Sequence, residues 1–335
     1  MILLISQDSL EPSTEEVENW LHAMNADYIR VNGSDIVQML SSSIAVNNSN
    51  TAVKFILSNG TELDLSAISV VWFRRWQYYP SFEAVSTTGD VAFEKSMNDF
   101  RLSEFKSLTR IFFDLIKDKR IIGSPRYLFK VPTKFEQLAA ARSAGLLIPN
   151  SLITNSKKEL TAFYIAADKK VITKPNGEGT WITVGGQNYG TYTSLVTDEL
   201  LAMLPDTFFP GMFQQFVDKV VELRIFYFNK KCYAMAIFSA LDAQTEVDFR
   251  VYNHDRPNRY TPFNLPAYLE QKIIVFMESV GLVTGSIDMI LNGNNEFIFL
   301  EVNHAGQFGM VSFPCNYYLE KEIASELMAI DSAFN

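Results

Sequence analysis

The sequence predicts a protein of mixed α/β and α+β class, built from two or three packed subdomains. Three observations point there. At 335 residues the chain is longer than one simple core accommodates. Its opening alternates strand, helix and strand, and its second half is rich in apolar β-type runs joined by short turns.

Met1–Ser6 is apolar and reads as the first strand. Ser13 and Glu16 have capping-box spacing, and Val17, Trp20, Leu21 and Met24 follow at helical intervals. Tyr28–Val31 is a second strand ended by the turn pair Asn32-Gly33, Asn47–Thr51 is a polar loop, and Val70–Trp76 is another strand. From Glu94 to Lys119, the residues Met97, Phe100, Leu108, Ile111, Phe112 and Leu115 form one stripe, which predicts a core-facing helix. These elements make an N-terminal α/β domain over 1–123.

Pro125 marks a boundary. Thr133 and Glu136 form a second capping box before the helix Phe135–Ala144, which stops at Gly145. The helix Lys158–Ala167 and the strand Val171–Lys174 then fill a small α+β unit over 124–211. A third region, 212–335, starts near Met212. Asn229-Lys230 joins Leu223–Phe228 to Lys231–Phe238 as a hairpin, and a helix covers Tyr268–Gly281. Ser286–Leu291 then pairs with Glu296–Val302 across the Asn292–Asn295 turn.

The bulk composition excludes several classes. The longest apolar runs fall short of the roughly 20 residues of a membrane helix, so no membrane partner is expected. MILLISQDS is too short for a signal-peptide core and has no basic lead-in. Cys232 and Cys315 give neither a disulfide framework nor metal-ligand spacing, so the expected location is cytoplasmic. A formal charge of −9 speaks against a nucleic-acid partner, whose phosphates require a Lys/Arg excess.

The sharpest chemical signal is the last hairpin. Asp288 lies on one strand; Glu301 and Asn303 lie two apart on the next, hence on one face. Two carboxylates and an amide oxygen form a hard donor set suited to Mg²⁺ carrying nucleotide phosphates. A solvent-facing edge with scattered acids gives the same letters, but SIDMIL and FIFLEVN are apolar around them, and buried acids need a partner. Lys130 in YLFKVP and Lys174 in VITKPNGEGTW are point charges for an anion. Beyond Lys174, Gly177 and Gly179 allow close backbone approach to phosphate, as they also suit a plain surface loop. No GxxxxGK[ST] occurs in the chain. In FQQFVDKVVELRIFYF the apolar strand Met212–Val217 leads to Asp218, Glu222 and Arg224, which equally fits a strand pair with exposed charges. Arg74 and Arg75 sit among Trp72, Phe73 and Trp76. Strand alternation sends them to opposite faces, so at most one serves a given site.

Taken in order, these signals resemble the ATP-grasp superfamily, in which a nucleotide lies between two α+β subdomains. The resemblance implies ATP and Mg²⁺ as cofactors. It assigns Lys130 and Lys174 to phosphates, Gln214, Gln215, Phe216 and Val217 to an adenine hinge, and Glu222 to the ribose. Asp288, Glu301 and Asn303 fall to Mg²⁺. The hinge departs from the family by carrying Gln214-Gln215 where Glu is common. MILLISQDSLEPSTEEVENWL, VVWFRRW, TEVDFRVY and EVNHAGQF further resemble the graspetide maturases, the microviridin-type macrocyclases and their grasp-with-spasm branch. That resemblance implies joining Asp or Glu side chains of a ribosomal precursor peptide to Thr/Ser hydroxyls or Lys amines. The partner implied has a leader and an acidic core containing Thr or Lys, and the enzyme is a homodimer. The family's Asp-x-Arg element falls on Asp248 and Arg250. Arg250 would clamp a carboxylate or acyl phosphate bidentately, Asp248 would orient Arg250 or the attacking nucleophile, and Arg224 would help spread charge on the transferring phosphate. A ligase of free amino acids or small metabolites and a non-catalytic ATP-binding protein are the competing readings.

Overall fold

The computed structural model describes the chain apart from residues 8–10, 34, 36–40, 50, 58, 77–89, 126–130, 178, 180, 186, 192, 240–257 and 335. Contacts group the described residues into two compact units, Met1–Val131 with Tyr318–Asn335, and Pro132–Tyr317.

The first unit runs β1 (Ile2–Ser6), α1 (Pro12–Ala23), β2 (Tyr28–Asn32), β3 (Ser41–Val46), β4 (Thr51–Ile56), β5 (Val70–Phe73), α2 (Val91–Ile116) and β6 (Arg120–Ile122). Four strands form a parallel sheet in the order β2-β1-β5-β6, and β3 and β4 make a separate antiparallel pair. All five residues of β1 are buried, as expected for a parallel strand covered on both faces. The core gathers Leu3, Ile5, Val71 and Trp76 against Phe112 and Phe113 of α2.

Three sequence expectations change here. The Ser13–Glu16 capping box does not form: α1 starts with Pro12, and the preceding Glu11 turns its carboxylate to Arg74 and Arg75 instead of capping. In α2 the buried residues are Phe105, Thr109, Phe112, Phe113 and Ile116, so packing runs through the C-terminal half while Phe100 and Ile111 stay exposed. Strand β5 ends at Phe73, after which the amides of Arg74 and Arg75 both turn to the Ile5 carbonyl, at 2.9 and 3.5 Å. Alternation therefore stops, and both guanidinium groups reach one carboxylate, that of Glu11.

The second unit runs α3 (Lys134–Ser143), β7 (Ser151–Ser156), α4 (Lys157–Ala166), β8 (Val171–Lys174), β9 (Trp181–Val184), β10 (Gln187–Gly190), β11 (Ser194–Leu195), α5 (Asp198–Met203), β12 (Thr207–Gln215), β13 (Lys219–Phe228), β14 (Lys231–Phe238), β15 (Arg259–Phe263), α6 (Ala267–Ser279), β16 (Thr284–Asn292), β17 (Phe297–Asn303) and α7 (Gly309–Cys315). One antiparallel sheet has the order β11-β8-β12-β7; its core is Leu160, Tyr164, Leu201 and Phe213. The second, β15-β14-β13-β16-β17, is antiparallel throughout and carries α3 and α6 through Leu138, Ile273 and Phe276. The Thr133–Glu136 capping box forms as its spacing predicts, with both reciprocal bonds present. Asn229 and Lys230 take φ of 44° and 66°, the left-handed pair that a two-residue hairpin turn requires. Strand β12 stays in the first sheet as far as Gln215, so the chain crosses to the second over Phe216–Asp218, a few residues beyond Met212.

The last helix, α8 (Leu319–Phe334), buries Leu319, Ile323, Ala324 and Leu327 and packs on α1, β1 and β5. Its Asp331 also takes the Met1 ammonium at 2.6 Å. Residues 318–335 thus belong by contact to the first unit, where the sequence had grouped them with 212–317. The apolar stripe of an amphipathic helix does not say which core receives it.

Candidate functional site

The site is built on β16 and β17. Asp288 pairs directly with Glu301, and Ser286 with Asn303, so both carboxylates and the amide share one face. The register shifts beside Asp288, where Leu300 is the extra residue, and both Leu300 and Glu301 line a cleft. Around them Ile287, Met289, Phe299 and Val302 are buried, which fixes the register: a slip by one would carry all four out of the core.

Each acid has a cationic neighbour. Arg224, opposite Asp288 on β13 and 5% exposed, donates from Nη1 to both its oxygens at 2.7 Å. Glu301 Oε2 lies 3.3 Å from Lys134 Nζ and 3.6 Å from Lys174 Nζ. Lys134 comes from the first turn of α3 and Lys174 from the end of β8, so three elements meet at one oxygen. Burial pulls the Lys174 ammonium below the ordinary lysine range, with Glu301 acting in the opposite sense.

The opposite wall is the end of β12 and the crossing that follows. Gln214, Gln215, Phe216 and Val217 all line the cleft. Gln214 is buried and donates from Nε2 to Ser151 Oγ at 2.9 Å; Gln215 accepts from Asn150 Nδ2 at 3.0 Å. Both amides are thus tied to β7 or the residue before it. Glu222 closes the cleft from β13. Burial pushes its carboxyl up, while Lys219 and Ser239 act against that shift.

No protein-family model and no curated protein sequence matches this chain. Among solved structures it matches a RiPP-associated ATP-grasp ligase of Chryseobacterium gregarium, in complex with ADP and a leader and core peptide. The TM-score is 0.80 and the identity 24%, over 100% of this chain and 97% of that one. Macrocyclase MdnC of Microcystis aeruginosa MRC, bound with precursor peptide MdnA, matches at TM-score 0.78 and 23% identity, over 98% and 100%. The ATP-grasp ligase PsnB, complexed with minimal precursor, Mg and ADP, matches at 0.71 and 15%, over 98% and 97%. The chain has the ATP-grasp fold.

In this ATP-grasp fold the cleft between the two sheets of the second unit receives most of the residues singled out from the sequence. Lys174, Gly179, Gln214, Gln215, Phe216, Val217, Glu222, Asp288 and Glu301 line it. Asn303 shares their strand face, and its Oδ1 accepts from the Ala305 amide at 3.1 Å. A Cβ on Gly179 would lie 3.3 Å from the carbonyl and hydroxyl oxygens of Thr191, whereas one on Gly177 would meet nothing within 4 Å among the described residues. Beyond the glycines the chain folds as the β9–β10 hairpin. Lys130, Asp248 and Arg250 lie outside the described residues.

Sequence reading missed two lysines. Lys134 looked like part of a capped helix start, and Lys219, between Asp218 and Glu222, like one charge on a solvated strand. Lys219 is in fact 4% exposed, and Lys134 faces Glu301. The capping box itself was the usable signal for Lys134, since a fixed first turn also fixes where its side chain starts.

Asp288, Glu301 and Asn303 fit a hard divalent cation. They supply oxygen donors alone, paired across two strands at the rim of a cleft that also holds lysines for an anionic ligand. Among the described residues, no group of three or more His, Cys, Asp and Glu side chains comes together to hold a metal ion.

Proposed function

We propose that the protein is an ATP-dependent macrocyclase of a ribosomal precursor peptide. The observation that carries this reading is the meeting of Lys134, Lys174, Asp288 and Glu301 in one cleft between the two sheets. Support comes from the fold match, which spans nearly the whole chain and reaches ligases solved with precursor peptides. The reading includes two ATP-grasp subdomains within the second unit, one carrying each sheet, a homodimer, and a cytoplasmic location.

The substrate carboxylate, an Asp or Glu side chain of the peptide, attacks the γ-phosphate of ATP in line. ADP leaves and an acyl phosphate remains. A Thr or Ser hydroxyl, or a Lys amine, then attacks the acyl carbon, phosphate leaves, and the peptide has lost one water per ring. Lys134 and Lys174 spread the charge on the transferring group, together with Lys130, to which the sequence reading gave the same role. The hinge Gln214–Val217 meets the adenine, and Glu222 accepts from the ribose. Asp288, Glu301 and Asn303 hold Mg²⁺, which when bound supplies charge neutralisation for the phosphates. Arg224 fixes the orientation of Asp288. Arg250 clamps the substrate carboxylate and Asp248 orients Arg250. The segment around Gly177 and Gly179 excludes water from the acyl phosphate.

The test is co-expression with a candidate precursor peptide carrying a leader and an acidic core with Thr and Lys, followed by its intact mass. Loss of one or more waters, abolished by Asp288→Ala or Arg250→Ala, is the expected result. Alkaline hydrolysis of the product then separates ester from amide. An unchanged mass, with ATP turnover stimulated by free amino acids, would overturn the reading in favour of a small-molecule ligase.

A further inference from the structure

Lys219 and Glu222 form a buried ion pair at the cleft wall. The Lys219 ammonium meets Glu222 Oε1, although only 4% of the lysine side chain and 12% of the glutamate's is exposed. Residues three apart on a regular strand point to opposite faces. They meet here because β13 is bulged: Lys219 pairs with Asn292, Val221 with Leu291, and Val220 is the extra residue. Val220 is exposed, so the bulge does not serve apolar packing of that side chain. Ser239, one residue past β14, donates to the same Oε1 at 2.6 Å. Two elements thus converge on one oxygen of Glu222, while Oε2 keeps its acceptor capacity for a ligand in the cleft.

A buried ion pair is a poor way to gain stability, because desolvating both charges offsets their attraction and an apolar pair would serve as well. Its use lies in holding Glu222 as an acceptor with a fixed orientation. An ionised carboxylate takes two O–H donors and offers none, which matches a vicinal diol. Asp288, diagonally across on β16, repels that charge, and Lys219 opposes it.

Resting on the nucleotide reading above, we propose that Lys219 is a positioning residue that fixes Glu222 to recognise the two hydroxyls of a ribose. Discrimination between ribose and deoxyribose therefore depends on Lys219, a residue that touches neither sugar hydroxyl itself.

The experiment compares ATP with 2′-deoxy-ATP, each with Mg²⁺, by calorimetric binding to the full chain and by kcat and KM for the precursor peptide. The wild type is expected to prefer ATP by about tenfold or more, the size of one hydrogen bond to a charged group. In Lys219→Met the preference falls to within about twofold of unity, chiefly in KM, and Lys219→Arg restores it. Should Lys219→Met fail to fold, Lys219→Gln, which keeps a polar end without the charge and leaves Glu222 intact, should show the same loss of preference. A preference unchanged in folded Lys219→Met or its substitute, a wild type without preference, or an equal loss for both nucleotides overturns the proposal. Ribose preference with an unmodified peptide would sink the macrocyclase reading alone, while absence of any nucleotide binding would sink both.

Discussion

The ammonium of Lys174 lies 3.6 Å from Glu301 Oε2, and the same oxygen is 3.3 Å from Lys134. Lys174 belongs to the β11-β8-β12-β7 sheet and Glu301 to the five-stranded one, so this contact spans the cleft within the second unit. Two ammonium groups on one carboxylate leave positive charge unspent, and a polyanion entering the cleft finds it already gathered. In the proposed reaction Lys174→Met therefore weakens nucleotide binding by about ten- to a hundredfold, the range of a charge-assisted hydrogen bond. Calorimetric titration with ADP and Mg²⁺ checks this; binding within about twofold of wild type would remove Lys174 from the phosphate site.

In the first unit Glu11 carries two guanidinium groups, with 3% of its side chain exposed. Glu11→Gln leaves Arg74, itself buried, without its counter-ion and is expected to cost about 3–5 kcal/mol of stability. Arg75 is about one-third exposed, so Arg75→Met should cost about 1 kcal/mol or less. Urea denaturation of the two variants measures the difference. Equal effects would mean that Arg75 is held as firmly as Arg74.

How much of this was legible in the sequence follows from what each residue depends on. The hairpin and the shared face of Glu301 and Asn303 were readable because the turn joins adjacent strands and period two fixes the face. The pairing of Asp288 with Glu301 depends on the bulge at Leu300 and was not readable. The helix start at Thr133 was readable because a capping box is a local bond pair. Arg74 and Arg75 were misread because β5 ends where the Ile5 carbonyl captures their amides, a contact almost seventy residues away in sequence. Lys134 is marked locally only by the capping box that fixes its turn, and Lys219 carries no local mark. A lysine on a solvated face and one sealed against a carboxylate read identically until the partner strand is placed. The bulge at Val220 is likewise a property of two strands, visible only once β13 is aligned with β16.

Gly123 has φ of +112°, and a Cβ there would run into the Phe73 carbonyl oxygen at the end of β5. Backbone cannot give way as a flexible side chain would. Gly123→Ala should therefore destabilise the first unit by about 3 kcal/mol or more, combining left-handed strain with the clash. Gly60, also at positive φ but with nothing near its Cβ position, provides the control, and Gly60→Ala should cost about 1 kcal/mol. Thermal melts of both variants suffice. A mild Gly123→Ala would show that the β5–β6 edge relaxes.

The two thiols give a pH dependence whose sign is fixed. Burial pushes Cys315 up to about 11 and Cys232 up to about 12, from an ordinary value of 9.0. Between pH 9 and 11 the unfolded chain has therefore begun to lose both protons while the folded chain still holds them. The folded state binds more protons there, so stability falls as pH rises through that window. Well below pH 9 both states are protonated and the thiols contribute no slope. The expected outcome is an alkaline loss of stability that shrinks in Cys315→Ala, measured against wild type by urea denaturation at pH 8 and pH 10.5. The thiolate is the reactive form, so both cysteines should also resist a disulfide reagent at pH 8 until the chain is unfolded. Rapid modification of Cys315 in the native protein would show that α7 opens far more readily than its burial implies.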